Sequence, residues 1–262
     1  MSTLKAMFSF FTMIRMDITK EDMDDMDRRF CLVPVVGLFY GILAVVLMVV
    51  LFEMIPMLAA AVLTLFVIQG MNRFLHIDGT IDVGDGLTVA GKREDHLRAL
   101  KDTRIGAGGM AFALFIVMLT VAALSGIWAG YLILVPLMAE ILAKNSMVSA
   151  AAFGTPGDGM AGNSVRNTTP RSLFVSSVLS LAVILAYTVI IKELGWFSFD
   201  YDNVIFWISM ASVFIASVVT GAIMSAIAKR NFGVTNGDVL GATNEISRAV
   251  TLLMMLALIP VI

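Results

Sequence analysis

Long apolar runs at residues 31–52, 54–71, 107–125, 127–143, 172–192, 203–228 and 249–262 leave this chain few ways to fold. A helix rises about 1.5 Å per residue and the hydrocarbon core of a bilayer is ~30 Å thick, so roughly 20 apolar residues cross it. The last run reaches only about 21 Å as a helix. It is expected to begin earlier, near Ile246, or to dip in without crossing. Hydrophobic residues make up 59% of the chain and charged residues 15%, against roughly 45–50% and about 25% in soluble domains. Lipid must therefore be the solvent for most of the surface. The expected fold is all-α: a polytopic integral membrane helical bundle of about seven transmembrane helices, forming one domain over residues 1–262. Its cytoplasmic parts are an N-terminal segment, 1–30, and a loop, 72–106. The tightest connection is a hairpin at Ser125-Gly126.

Seventeen of the eighteen Lys and Arg residues fall on one side of such an alternating bundle. They lie in 1–30, 72–106, 144–171 and 229–248, and Lys192 alone lies opposite. Basic loops stay in the cytoplasm, which puts the N-terminus and the long polar loops inside and makes the cell's inner, cytoplasmic membrane the expected location. The loops outside are short: Glu53 with its neighbours, Ser125-Gly126 and 193–202. A net charge of −2 excludes a strongly basic nucleic-acid binder. The single cysteine, Cys31, excludes an internal disulfide and reads as packing. Residues 1–30 lack the order of a cleavable signal. Residues 4–16, with Phe8, Phe10 and Phe11, suit a helix lying on the membrane, and the acidic cluster Glu21, Asp22, Asp24, Asp25 and Asp27 reads as a solvated turn.

The polar chemistry gathers in the inside loops. In His76-Ile77-Asp78-Gly79-Thr80-Ile81-Asp82-Val83-Gly84-Asp85-Gly86, three aspartates stand at i, i+4 and i+7, one face of a helix. Like charges so placed repel, and no Lys or Arg lies within the motif. A divalent cation with oxygen ligands, Mg²⁺ above all, resolves the repulsion. Lys101-Asp102-Thr103-Arg104-Ile105-Gly106-Ala107-Gly108-Gly109 follows. It admits two readings: a phosphate cradle of cations and free backbone N–H groups, or a basic anchor with a flexible helix entry. The glycines of 154–162 fit a substrate-shaping loop or an ordinary connection. Glu140 and Lys144, four apart near a helix end, read as a local pair. In 231–245, Asp238, Asn244 and Glu245 could supply ligands or nucleotide contacts, and a turn before a helix explains the glycines equally well. His76 suits a general base or a structural hydrogen bond; His96 reads as solvated.

These stretches resemble the signatures of the cobalamin synthases, the adenosylcobinamide-GDP ribazoletransferase family. Residues 76–86 fit H-x-D-G-x-x-D-x-x-D-G at every specified position, and Arg93–Gly109 is close to a second signature ending K/R-D-x-R-I-G-A-x-G. Asn236–Glu245 fits T-G-D-x-L-G-A-x-x-E except at Asn236. Phe11-Thr12 and Pro34-Val35-Val36-Gly37 are similar too. Two features depart from the family pattern: Met16-Asp17 stands where a proline is usual, and the middle loop carries Lys144 and Gly154–Gly159 where arginine is usual.

The resemblance implies an enzyme that joins adenosylcobinamide-GDP to α-ribazole or its 5′-phosphate. The 3′-hydroxyl of the ribazole attacks the phosphorus next to the cobinamide aminopropanol, and GMP leaves. It implies Mg²⁺ as cofactor on Asp78, Asp82 and Asp85, with His76 or Asp82 taking the hydroxyl proton. Lys101, Asp102, Arg104, Gly106, Asp238 and Glu245 would contact substrate and phosphate. Partners would be the two substrates and the bilayer, not nucleic acid, with a homo-oligomer or other corrinoid-assembly enzymes as further partners.

Two other membrane transferases fit less well. The CDP-alcohol phosphotransferase pattern begins at Asp82-Val83-Gly84-Asp85-Gly86, but Val89-Ala90 stand where Ala-Arg is required. An aromatic-prenyltransferase pattern could use Asp78-x-x-x-Asp82, but no aspartate lies four residues after Asp238. A transporter would carry ionisable groups at mid-membrane, and the sequence places them at span ends.

Overall fold

The computed structural model describes residues 2–197 and 204–258, so part of the expected outside loop 193–202 and the end of the last run, 259–262, lie outside the described residues. The described residues form α1 (Ser2–Phe11), α2 (Lys20–Arg28), α3 (Pro34–Phe52), α4 (Met57–Met71), α5 (Leu75–Thr88), α6 (Arg93–Leu100), α7 (Ala107–Ser125), α8 (Val135–Ala152), α9 (Gly159–Asn167), α10 (Pro170–Glu193), α11 (Val204–Asn231) and α12 (Gly237–Leu258). This is the all-α bundle expected from the apolar runs. The span count is looser. Four segments are each long and apolar enough to cross a bilayer: Phe30–Phe52, α7, α10 and α11. The pair α4 and α5 makes a fifth if taken as one broken span.

These four segments are inside out relative to a soluble helix. Only 28–39% of each apolar window is buried, and large side chains such as Ile42, Phe115, Phe174 and Ile215 face outward. That surface is stable only against lipid, and the chain is a multi-pass membrane protein.

At the centre stands α8, whose residues are buried from Val135 through Ala151. It packs against α3, α10, α11 and α12. The approach of α3 is close because Gly37 and Gly41 present no side chain. A Cβ at Gly37 would lie 2.8 Å from the Glu140 carbonyl oxygen, and one at Gly41 2.9 Å from Leu137 Cα. Small residues four apart are the usual means of bringing membrane helices together.

Here three sequence expectations are corrected. The fourth helix begins at Val135, not 127, with Pro136 in its first turn where the missing N–H is tolerated, so the tight hairpin at Ser125-Gly126 becomes a longer connection. The same helix runs on to Ala152, because Lys144, Asn145 and Ser146 turn into the protein interior rather than marking the membrane edge. The last helix begins at Gly237. Its polar first half is likewise buried within the bundle, where apolarity is no guide.

The buried polar residues of α8 and α12 join across the core. Arg248 Nε donates to Glu140 Oε1 at 2.6 Å and Nη2 to Glu140 Oε2 at 3.2 Å, while Nη1 meets Glu245 Oε2 at 2.5 Å. Gln69 Nε2 donates to Glu245 Oε2 at 2.6 Å, Asn244 Nδ2 to Glu245 Oε1 at 3.0 Å, and Lys144 Nζ to Asn244 Oδ1 at 2.7 Å. Ionisable groups are therefore present deep in the bundle, contrary to the reading that put them only at span ends. Glu140 and Lys144 do not pair locally; each finds its partner on α12.

Nor is the N-terminal segment loose. The acidic cluster is the helix α2, opened by a capping box of Thr19 and Asp22. In α1, Thr3, Ala6, Met7 and Phe11 are buried against the bundle rather than dipped in lipid. Tyr40 Oη donates to the Phe11 carbonyl at 2.6 Å, and Arg73 Nη2 donates to the Ser9, Phe10 and Thr12 carbonyls at 2.7, 3.2 and 2.9 Å. One guanidinium thus closes the C-terminal end of α1.

Candidate active site

The helix α5 carries the acidic motif, and a turn in the chain sets its direction. Arg73 and Phe74 both adopt φ 59°, a left-handed conformation that costs roughly 1–2 kcal/mol for each ordinary residue. The result is a 93° bend between α4 and α5. At 14 residues α5 is too short to cross a bilayer by itself, and it runs nearly at right angles to α4. Gly79 lets it touch the start of α12: a Cβ there would lie 2.7 Å from Asp238 Cα. On the other side Gly84 rests on α7, where a Cβ would lie 2.9 Å from Gly109 Cα.

The three aspartates sit on one helix, as their spacing predicts, but they divide their work. Asp85 Oδ2 accepts the Gly106 N–H and Oδ1 the Gly109 N–H, both at 2.7 Å. Its carboxylate caps α7, a structural role beside the metal-ligand role expected of it. The same bonds occupy two of the N–H groups expected to cradle a phosphate, so Gly106 offers no free donor. Asp82 is half-buried. Burial, and then the charges of Asp238, Asp78 and Asp85, push its carboxyl up to about 7. Asp238 is also raised, chiefly by burial, although Asn236 Nδ2 donates to it at 2.6 Å. Asn236 Oδ1 meanwhile accepts the Val239 N–H at 3.2 Å. The residue that departs from the family pattern thus still caps α12, as a threonine there would.

The remaining expected residues scatter. Lys101 is exposed. Arg104 Nη2 binds Asp102 Oδ2 at 2.8 Å with its side chain 87% exposed, and that pairing holds Asp102 down at about 2. Glu245 belongs to the interior network described above and not to a substrate surface, because its carboxylate already accepts bonds from Gln69, Asn244 and Arg248. His76 is 1% exposed, and burial holds it neutral, well below its usual range. Its Nδ1 lies 3.4 Å from Asn72 Nδ2 and 3.8 Å from Glu245 Oε1. Of the two readings of His76, general base or structural hydrogen bond, its contact with Asn72 fits the second. His96 is not merely solvated: its Nδ1 contacts the Gly86 carbonyl at 2.7 Å, tying α6 to α5.

Asp78, Asp238 and His76 line a cavity whose other wall comes from α1 and α2. Sequence reasoning missed that wall. Its only trace in the sequence is the spacing of Thr3, Ala6, Met7 and Phe11, which marks one buried helical face. Asp27 on α2 is buried, accepting from Ser164 Oγ on α9 at 2.5 Å. The middle loop closes in as well, since the Thr235 N–H donates to the Thr155 carbonyl at 2.7 Å.

Among the described residues no group of three or more His, Cys, Asp or Glu side chains converges into a ready metal cage. Mg²⁺ asks less: one or two carboxylates, water and substrate phosphates. Asp78, Asp82 and Asp238 fit that need, as acids facing one another across α5 and α12 with no cation between them.

A family profile described as cobalamin-5-phosphate synthase matches residues 3–256. The chain is 31% identical to the adenosylcobinamide-GDP ribazoletransferase of Methanocella arvoryzae, over 95% of this chain and 93% of the relative. It is 29% identical to the protein of that name from Methanococcoides burtonii, over 96% and 90%. With that of Pyrococcus furiosus it shares 30% identity over 74% and 75%. No solved structure matches.

Proposed function

The chain belongs to the cobalamin-5-phosphate synthase family, and on that premise we propose that it joins adenosylcobinamide-GDP to α-ribazole or its 5′-phosphate, releasing GMP and closing the nucleotide loop of a cobamide. The observation that supports this chemistry is the acidic group Asp78, Asp82 and Asp238, close enough for their charges to act on one another, with Asp78 and Asp238 lining a cavity. A diphosphate cannot approach such a group unless a cation mediates. Mg²⁺ would be held by Asp78 and Asp238 and would neutralise the diphosphate and the departing GMP, leaving the Asp82 carboxyl free to take a proton.

The chain's own residues supply the rest. Asp82 is the proton acceptor, because a carboxyl raised to about 7 can both hold and release a proton at neutral pH. The ribazole 3′-hydroxyl loses its proton to Asp82 as its oxygen bonds to the phosphorus beside the cobinamide, and the bond from that phosphorus to GMP breaks. Lys101 and Arg104, both exposed, take the outer phosphate oxygens. For Arg104 this means exchanging Asp102 for substrate. The active site faces the cytoplasm in this reading, within a cell inner membrane, because the basic residues outside the bundle core lie on its side.

The test is GMP release by purified protein given both substrates and Mg²⁺. Asp82→Asn should lower the rate by about 10²–10⁴, the usual contribution of a positioned base. An unimpaired Asp82→Asn enzyme would remove the assignment. Orientation has its own test: in a Cys31→Ser background, a cysteine replacing Lys92 should react with an impermeant thiol reagent in inside-out vesicles and not in right-side-out ones.

A further inference from the structure

A cavity of about 100 Å³ lies between α1, α2, α5, α9 and the start of α12. Phe10, Phe11, Met26, Phe30, Met147 and Met160 make most of its wall. Its polar groups are Asp78, Asp238, the Asp27–Ser164 pair and His76. His76 is 1% exposed and its ring centroid lies 6.1 Å from that of Phe11. Its Nε2 is buried and has no hydrogen-bond partner. A buried orphan of this kind calls for a ligand or a water. The amide nitrogen of Asn72, 3.4 Å from Nδ1, is a donor, so Nδ1 accepts and the proton resides on Nε2.

We propose that this cavity seats the flat heteroaromatic base of the nucleophilic substrate, with His76 Nε2–H donating to the base's bare ring nitrogen and the ribose extending toward Asp78 and Asp238. The proposal rests on the transferase reading above and adds where one of the two substrates binds. The corrin macrocycle is far too large for this space, which takes the leading edge of a flat ring system and leaves the remainder in its opening. Guanine, the other flat ring in the reaction, also offers acceptors to His76, and the separate KM values below distinguish the two occupants. A base with one free ring nitrogen matches one orphan donor. Methionine sulfur against an aromatic face is favourable, and four of the six apolar wall residues come from the N-terminal segment. That segment, clamped by Arg73 and Tyr40, is then part of the substrate site rather than a membrane anchor.

The experiment is steady-state kinetics on the full chain in detergent, varying α-ribazole at saturating adenosylcobinamide-GDP and the reverse. Met147→Trp fills the cavity from α8. Met160→Trp fills it from α9, at a position 58% exposed, where the fold tolerates the change. Each should raise the KM for α-ribazole about tenfold or more, the equivalent of modest overpacking, and leave the KM for adenosylcobinamide-GDP within about twofold. His76→Phe should abolish the preference for α-ribazole over an analogue with C–H in place of the free ring nitrogen, a preference that the wild-type enzyme should show at about tenfold. A rise confined to the KM for adenosylcobinamide-GDP would give the cavity to guanine and overturn the proposal. So would an active Met160→Trp enzyme with unchanged KM values, or a wild-type enzyme indifferent to the ring nitrogen. An inactive wild-type protein would remove the transferase reading, and the proposal with it.

Discussion

Replacing Arg248 by methionine tests the interior network most sharply. Arg248 makes a two-pronged bond to Glu140 and a third contact to Glu245, and its side chain is 2% exposed. The buried cluster holds two cations, Lys144 and Arg248, and two anions, Glu140 and Glu245. Arg248→Met leaves the anions in excess by one, out of reach of water. Removing one partner of a buried pair costs about 3–5 kcal/mol, and each kcal/mol lowers Tm by roughly 2–4 °C in a protein of this size. The variant should therefore melt at least ~6 °C below wild type, read by tryptophan fluorescence in detergent. Glu140→Gln combined with Arg248→Met restores the charge balance and should recover most of the loss, while Glu140→Gln alone should destabilise. A single variant that melts with the wild type, or a double variant no better than Arg248→Met, would refute the view that charge balance holds α8 to α12.

Three further outcomes follow from the site. The raised carboxyl of Asp82, about 7, means that the folded protein holds a proton which the unfolded chain has released at an ordinary aspartate value. Stability therefore falls as pH rises from about 4 to 7; Asp82→Asn should raise Tm at pH 8 and not at pH 4, and kcat/KM in the wild type should rise with pH through a midpoint that moves down as Mg²⁺ is added. Gly79→Ala places a methyl 2.7 Å from Asp238 Cα, backbone against side chain with no flexible end to yield; it should cost about 1–3 kcal/mol by overpacking and lower activity by separating Asp82 from Asp238, checked by thermal melting beside GMP release. Asp85→Ala should lower stability by about 1–2 kcal/mol through loss of the α7 cap with the Mg²⁺ requirement unmoved, whereas Asp78→Asn should raise the Mg²⁺ concentration for half-maximal rate about tenfold.

How far the sequence spoke depends on which solvent each residue meets. The helices facing lipid announced themselves: 172–192 falls within α10, the run 203–228 lies in α11 from Val204 on, and 31–52 nearly coincides with the span Phe30–Phe52. The helical spacing of Asp78, Asp82 and Asp85 was also legible, as was the family. What misled was polarity inside the bundle. Lys144-Asn145-Ser146 and Asn244-Glu245 look like membrane-edge residues, yet Lys144 bonds Asn244 a hundred residues away in the chain, and no local pattern encodes such a pairing. The capping role of Asp85 was hidden for a similar reason. An acid at i+7 reads as a ligand until the N-terminus of α7 is seen to end on it. The aromatic wall from α1 could not be foreseen, because Phe10 and Phe11 suit lipid and protein interior equally.

Two sets of acids in this protein are treated in opposite ways, and the contrast bears on function. Glu140 and Glu245 are each met by Arg248, and the cluster is neutral. Asp78, Asp82 and Asp238 lie near one another with no cation among their partners, and burial and mutual charge raise Asp82 to about 7. The packing of α5 is carried by other groups: Asp85 and Gly84 join it to α7, and Gly79 admits α12. Carboxylates held together at a cost to stability mark a site where another charge is to arrive. The interior network sets the register of α12 and hence the place of Asp238, while its member Glu245 lies 3.8 Å from His76 in the cavity wall. A buried core thus holds an acidic rim in place, and the rim is where, in the proposed reaction, a metal-bound diphosphate would meet a ribose hydroxyl.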